Sequence, residues 1–295
     1  MAPQRVALAL GSGGARGYAH IGAIEEIRAR GHEVVAIAGT SMGALVGGLA
    51  AAGRLEPYAE WARSLTQSQV LRLLDPKWSG PGAIRAQRVF GQVEHILGDQ
   101  LIEDLRVPFT AVATDLHARR EVWFQRGPLT SAIRASIAIP GVITPVEMNG
   151  RLLADGGLMN PVPIEPTAAA AADLTIAISL SGSRLPQEQS TPAREPAEPT
   201  WREGLVERVR RTVGRPATEP EPASLLDELR ISDVVGLSMD AMQGLIARYR
   251  MAGLPPDVLV TVPASAARSL EFHRAAEMID LGRRLTAEAL DAAGH

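Results

Sequence analysis

VALALGSGGARGYAHIG, Val6 to Gly22, runs from apolar residues into a knot of glycines and ends in a helix-like stretch. Glycine is required where backbone must approach a ligand closely or take a positive φ. A glycine loop between a strand and a helix gathers free N–H groups at the helix N-terminus, and these favour an anion. That anion is either the phosphate of a nucleotide or the oxyanion of a reaction. The dinucleotide fingerprint G-x-G-x-x-G fails here in both registers. Counted from Gly11, its last glycine is Arg16; counted back from Gly17, its first is Ser12. The next strand-like run starts at Glu33 and ends without the acidic residue that would hold a ribose hydroxyl.

That second run ends in Gly39-Thr40-Ser41-Met42-Gly43, followed by the helical ALVGGLAAAG. G-x-S-x-G between a strand and a helix is the context of a nucleophile elbow. The turn is tight, so small residues flank the serine, whose hydroxyl stands at the C-terminal edge of the sheet. The helix N-terminus behind it favours developing negative charge. Glycine and serine are also common in ordinary strand-to-helix turns, and that reading stays open on the motif alone.

A serine hydroxyl needs a base. The six histidines lie at positions 20, 32, 95, 117, 273 and 295. His20 adjoins the glycine loop as a packing or capping residue. His32 lies in a turn, His95 in an amphipathic helix, His273 on a late helix, and His295 ends the chain. Only His117, after VATDL, occupies a loop near a strand end where a base could sit. The other candidate is Asp155. It follows the short strand GRLLA and precedes Gly156 and Gly157, so its carboxylate is free either to enter a cleft or simply to form a turn.

Composition narrows the classes further. The 295 residues suffice for one large or two average domains, and 46% hydrophobic with 21% charged residues is ordinary for a soluble globular protein. A net charge of −3 provides no basic face for nucleic acid. The absence of cysteine removes disulfides, thiol catalysis and cysteine–zinc sites. No two histidines stand at i, i+4, so no helical metal pair is visible and no metal site is expected. The N-terminal apolar run slides directly into the glycine loop, which favours a first strand over a signal peptide. No stretch approaches the ~20 apolar residues of a spanning helix. The expectation is a cytoplasmic protein that meets membranes peripherally. Nothing in the chain speaks to its oligomeric state.

Strand-like runs lie at Val6–Leu10, Glu33–Ala38, Pro108–Thr114, Glu121–Phe124, Leu174–Leu180 and Val258–Val262. Helix-like runs lie at Tyr18–Arg30, Ala44–Ala52, Pro57–Leu65, Ile84–Leu97 and Leu129–Ser136, and long helices over Ser224–Arg250 and Ala267–Ala293 flank the last strand. Alternation of this kind predicts an α/β fold with a mostly parallel central sheet flanked by helices. Residues 1–180 form the expected core, 181–223 a proline- and glutamate-rich mobile segment, and 224–295 a C-terminal part packed on the core. Within the middle segment, Trp201–Val213 has one apolar helical face among arginines, suited to packing on its own protein or to lying on an anionic membrane. The stretch 58–78 carries Trp61, Leu65, Val70, Leu71, Leu73, Leu74 and Trp78, as core packing or as a cap over an acyl-chain channel.

Four motifs in this order, GSGGARG (11–17), GTSMG (39–43), RASIAIPGVITPV (134–146) and DGG (155–157), resemble the patatin-like phospholipases. The likeness is strongest to the bacterial branch related to neuropathy target esterase. ARYRMAGLPPDVLVTVP (247–263) and FHRAAEMIDLG (272–282) look like the same branch, so the resemblance covers nearly the whole chain. It implies a three-layer α/β/α fold with the nucleophile elbow after the second strand. It implies a Ser–Asp dyad without histidine, Ser41 as nucleophile and Asp155 as base. The N–H groups of Gly13 and Gly14, with Ala15 as a third, would form the oxyanion hole. Arg16 would steady that loop, and Gly39, Gly43, Gly156 and Gly157 would support the two turns. The implied substrates are lipid carboxylic esters, commonly phospholipids or lysophospholipids, hydrolysed without a cofactor. Competing readings are an acyltransferase with a related elbow and a histidine base, and a catalytically silent membrane adaptor. An aspartate with its ordinary pKa of ~3.9 is a poor base near neutrality. The dyad therefore predicts a partly desolvated Asp155 hydrogen-bonded to Ser41.

Overall fold

The computed structural model describes residues 2–74, 82–84, 87–182 and 231–295. The chain divides into two compact units, 1–184 with 240–295, and 185–239. The features below belong to the first. The apolar helical face over Trp201–Val213 and its proline-rich flanks lie outside the described residues, as does Trp78.

In chain order the elements are β1 (Arg5–Leu10), α1 (Ala19–Ala29), β2 (Glu33–Thr40), α2 (Met42–Ala51), α3 (Leu55–Arg63), α4 (Gln67–Leu74), β3 (Gly82–Ile84) and α5 (Gln87–Leu97). Then come β4 (Phe109–Asp115), β5 (Arg120–Phe124), α6 (Leu129–Ser136), β6 (Gly141–Ile143), β7 (Val146–Met148), β8 (Arg151–Asp155) and β9 (Leu174–Gly182). The last are α7 (Ile231–Gly253), β10 (Val258–Pro263) and α8 (Ala275–Ala293).

The main sheet runs β10-β9-β1-β2-β4-β8-β7, with β5 also on β4. Pairing is parallel from β10 through β4, while β5 and β8 join β4 antiparallel. Strand β1 is buried on both faces, which is why it reads as a continuous apolar run. Its Val6, Leu8 and Leu10 enter the main core with α1, α2 and α8. Burying each such side chain contributes about 1.5–3 kcal/mol. On the opposite face the small Ala9 and Ala177 let Ala247 of α7 and the Val162–Ile164 segment close down on the sheet.

Strand β4 acts as the ruler of the fold. β5 covers residues 111–115 along one edge. The opposite edge is shared: β2 pairs with residues 109–112 and β8 with 113–115. Thr40 therefore lies opposite Val112 and Asp155 opposite Ala113, on consecutive rungs. The residue that follows Thr40 is thus brought beside Asp155 across the end of β2.

Several expected boundaries move. Ile84 is not the start of a helix; it pairs with Ile143 in the two-stranded β3–β6 ribbon, and α5 begins at Gln87. Periodicity in one segment carries no information about a partner nearly sixty residues on. Likewise Ala267–Ala293 is helical only from Ala275, and His273 falls in the short 3₁₀ turn Phe272–Arg274. The residues before it are used to brace the glycine loop. Helix α2 starts at Met42, directly behind Ser41. Among the described residues no helix is long and apolar enough to cross a membrane.

Candidate active site

The turn after β2 is folded hard against the end of β1. A Cβ at Gly39 would stand 2.3 Å from the Gly43 carbonyl oxygen, and one at Gly43 would stand 2.1 Å from that of Leu10. Between them Ser41 takes φ 57°, ψ −122°, a left-handed conformation for a residue with a side chain. Such strain costs of order 1–3 kcal/mol and persists only where the surroundings enforce it. The surroundings here are specific. Ser41 N–H donates to Ser136 Oγ (2.9 Å), and Ser136 Oγ donates to the Val112 carbonyl (2.6 Å). The Ser41 carbonyl accepts from the N–H groups of Ala44 and Leu45 as α2 begins.

Ser41 Oγ donates to Asp155 Oδ2 at 2.5 Å. Both residues are only 2% exposed. Asp155 Oδ1 accepts the Gly157 N–H (2.7 Å), Asp155 N–H donates to the Ala138 carbonyl, and the Asp155 carbonyl accepts from Thr114 Oγ1. Gly156 starts the 3₁₀ turn that follows β8. Burial raises the Asp155 pKa from 3.8 to about 6, against the opposing pull of its bonds from Ser41 and Gly157. The carboxylate is therefore ionised near neutrality, yet close enough to it to accept a proton.

The glycine loop lies alongside. Gly11 N–H donates to the Ile178 carbonyl and Ser12 N–H to that of Pro161. Ala15 N–H donates to the Ser269 carbonyl (3.0 Å). Ala15 is thus engaged structurally, whereas the Gly13 and Gly14 N–H groups have no acceptor among the described residues. Gly14 must be glycine on two counts: φ is 57°, and a Cβ would stand 2.5 Å from the Ser269 carbonyl oxygen. Arg16, almost wholly buried, donates to the carbonyls of Gly13 and Ala264 (3.2 Å each) and pairs with Asp240 at 3.0 Å. It ties the loop to the Ala264 carbonyl and to Asp240 through the Gly13 carbonyl.

The histidines stand apart from the nucleophile. His20 is fully buried with Nε2 2.8 Å from the Gly11 carbonyl, so that nitrogen carries the proton, and burial lowers its pKa to about 4. His117 is exposed in the β4–β5 turn, its backbone N–H on Asp115 Oδ1. Among the described residues no histidine hydrogen-bonds Ser41, and no three His, Asp or Glu side chains gather as a metal site requires.

In front of Ser41 opens a cleft of about 820 Å³, its mouth included, which Gly14 also lines. Tyr18, Tyr58, Trp61 and Phe272 make one wall, with Tyr18 and Phe272 edge to face. Ile137, Ile139, Val142 and Ile143 make another. From the 58–78 stretch, Leu65, Val70 and Leu73 line the cleft, while Leu71 faces solvent. Leu65 and Val70 are also buried, so packing and cleft lining coexist in the same residues. Leu270, 45% exposed, stands at the mouth. Ser136, Ser269 and Asn160, whose carbonyl accepts from Thr40 Oγ1, escaped the sequence reading. Serine and asparagine in loops are too common to stand out, although Ser136 lies within the RASIAIPGVITPV stretch.

The family model for patatin-like phospholipases matches residues 8–168. An uncharacterised NTE family protein of Mycobacterium tuberculosis is 47% identical over 98% of this chain and 92% of its own length. Human patatin-like phospholipase domain-containing protein 6 is 34% identical over 63% of this chain, a match spanning 14% of that longer protein. The crystal structure of VipD from Legionella pneumophila aligns over 99% of this chain and 67% of that one, at 12% identity and a TM-score of 0.48.

Proposed function

The chain belongs to the patatin-like phospholipase family, and from that premise we propose that it hydrolyses lipid carboxylic esters through a Ser41–Asp155 dyad. The observation that carries the reading is the buried 2.5 Å contact between the two side chains at the end of an apolar cleft. Ser41 Oγ attacks the ester carbonyl while its proton passes to Asp155 Oδ2. The oxyanion takes the Gly13 and Gly14 N–H groups, which need no reorganisation to receive it. As the intermediate collapses, Asp155 returns the proton to the departing alcohol, leaving an acyl group on Ser41. Water then attacks that ester while Asp155 takes its proton, and as the bond from the acyl carbon to Ser41 Oγ breaks Asp155 returns the proton to Oγ and the fatty acid leaves. The aromatic and aliphatic walls hold the acyl chain, and the protein meets its substrate peripherally at a lipid surface, with Leu270 at the entrance.

The exposed position of His117 favours this dyad over histidine-dependent acyl transfer. The test is a panel of diacyl phospholipid, lysophospholipid and monoacylglycerol, assayed with wild type, Ser41→Ala and His117→Ala. Ser41→Ala should lose about 10⁴-fold or more while staying folded. His117→Ala should retain wild-type rates. Hydrolysis surviving in Ser41→Ala, or vanishing in His117→Ala, overturns the assignment.

A further inference from the structure

Behind the dyad lies a polar cluster, buried at Asn160 and half-buried at its three charged members, with no part in the chemistry above. Asn160 is 0% exposed. Its carbonyl accepts from Thr40 Oγ1 (2.8 Å), and its N–H donates to the Gly156 carbonyl (2.8 Å). Thr40 immediately precedes Ser41, and Gly156 immediately follows Asp155. One residue therefore holds the two turns together. Its side chain is anchored in its turn. Asn160 Nδ2 donates to Glu121 Oε2 (2.8 Å) and Glu165 Oε2 (3.2 Å). Glu121 Oε1 also accepts from Arg250 Nη2 at 2.9 Å, and the same nitrogen forms an ion pair with Glu165 Oε1 at 2.8 Å. The result is a ring of hydrogen bonds and ion pairs that joins β5, the 165–167 turn and α7.

We infer that Asn160 is a positioning residue: its backbone sets the separation of Ser41 and Asp155, and the Glu121–Glu165–Arg250 ring holds that backbone still. The ring specifies an amide at 160. A carboxylate there would face two others and could not donate to them, so the ring would open and release the Thr40 and Gly156 ties. Glu121 supports this account. Burial pushes its carboxyl upward, but the bonds from Trp123 and Asn160 and the charge and bond of Arg250 outweigh that and hold it below its usual range. It is an anion in need of donors. A misplacement of about 1 Å at the reacting atoms costs ~100-fold in rate. Loosening the ring should therefore act on the chemical step.

The inference rests on the hydrolase reading, and the experiment separates the two. Wild type, Asn160→Asp and the swap Asn160→Asp with Glu121→Gln are compared on p-nitrophenyl butyrate and with a fluorophosphonate probe. In the probe reaction the Ser41 Oγ–P bond forms, fluoride leaves and the serine proton passes to Asp155. Asn160→Asp should lower kcat and the labelling rate ~10- to 100-fold, with KM changed less than about 2-fold. The acid limb of its pH–rate profile should move above that of wild type, because the Ser41 bond that holds Asp155 down is weakened. The swap leaves the ring's net charge unchanged and reverses the hydrogen bond between positions 160 and 121, while the bond to Glu165 stays lost, so it should recover part of the lost rate. Unchanged kcat in Asn160→Asp overturns the inference. So does a loss with an unmoved acid limb, or a swap that restores the melting temperature but not the rate. If Asn160→Asp does not fold, Arg250→Met, which removes the cation shared by the two carboxylates, must show the same kcat loss and limb shift or the inference fails. A wild type that neither hydrolyses nor labels sinks the hydrolase reading instead.

Discussion

Gly14 and Ser41 sit in neighbouring turns, after β1 and β2, with the same φ of 57°. In the first turn the residue is glycine, the conformation is cheap, and what lines the cleft is backbone. In the second the residue carries a hydroxyl, the conformation is strained, and what faces the cleft is that hydroxyl. The bracing differs accordingly. The first turn is tied from outside, by Ser269 on Ala15 and by Arg16 on Gly13. The second is held from within, by Ser136 on the Ser41 N–H and by the helix that starts on its carbonyl. Backbone that is itself the reagent can be relaxed. A side chain lifted clear of its turn must be forced there by packing.

The largest effect that would sharpen this contrast comes from the carboxylate served by the strained turn. Asp155→Asn should lower hydrolysis by about 10²–10⁴-fold, the range of general base catalysis, while both side-chain contacts remain geometrically possible. The same variant has a stability signature. The Asp155 pKa rises from 3.8 to about 6 on folding, so its carboxyl favours the folded state below the lower value, and that contribution fades as pH rises through the upper one. Asparagine does not titrate. Asp155→Asn should therefore gain stability over wild type at pH 8, by up to ~3 kcal/mol, and the gain should vanish near pH 4. Urea melts at the two pH values read it directly. A gain independent of pH would mean that Asp155 is not desolvated.

Next in size is Gly14→Ala. It forces a side chain into a left-handed conformation and against the Ser269 carbonyl, displacing the N–H that we propose as an oxyanion donor. A fall of about 10²–10³-fold in kcat is expected, with weaker binding of transition-state-like inhibitors. A variant of wild-type activity would place the oxyanion elsewhere and break the comparison. The smallest effect is on stability alone. Of two inactive variants, Ser41→Gly should be more stable than Ser41→Ala by about 1 kcal/mol, because glycine releases the strain. Equal melting temperatures would show that the turn is not strained.

Most of the fold is legible along the chain because buried parallel strands need apolar residues on both faces. VALAL, EVVAIA and LTIAISL announce themselves without reference to any partner. The three-residue strands β3, β6 and β7 do not. They exist only through pairing, which is why Ile84 reads as helix and folds as strand. The site divides in the same way. Ser41 is legible in its turn because strand, glycines and helix are local signals. Asp155 looks like any turn aspartate, and its pairing with Ser41 was reached through family resemblance. Ser136 and Asn160 act on residues 95 and 120 positions away, and nothing near them in the sequence marks that role.

By itself the sequence determined the α/β class, the two glycine turns at adjacent strand ends, and the residue types able to donate, attack and accept. Those are properties of short segments, set by backbone sterics and apolar periodicity. The tertiary structure alone decided which of the three loop N–H groups find an acceptor among the described residues, how far Ser41 stands from Asp155, and which way that carboxylate's pKa moves. Each depends on through-space partners: Ser269 against Ala15, β4 measuring β2 against β8, and an apolar surround that withholds water from the charge.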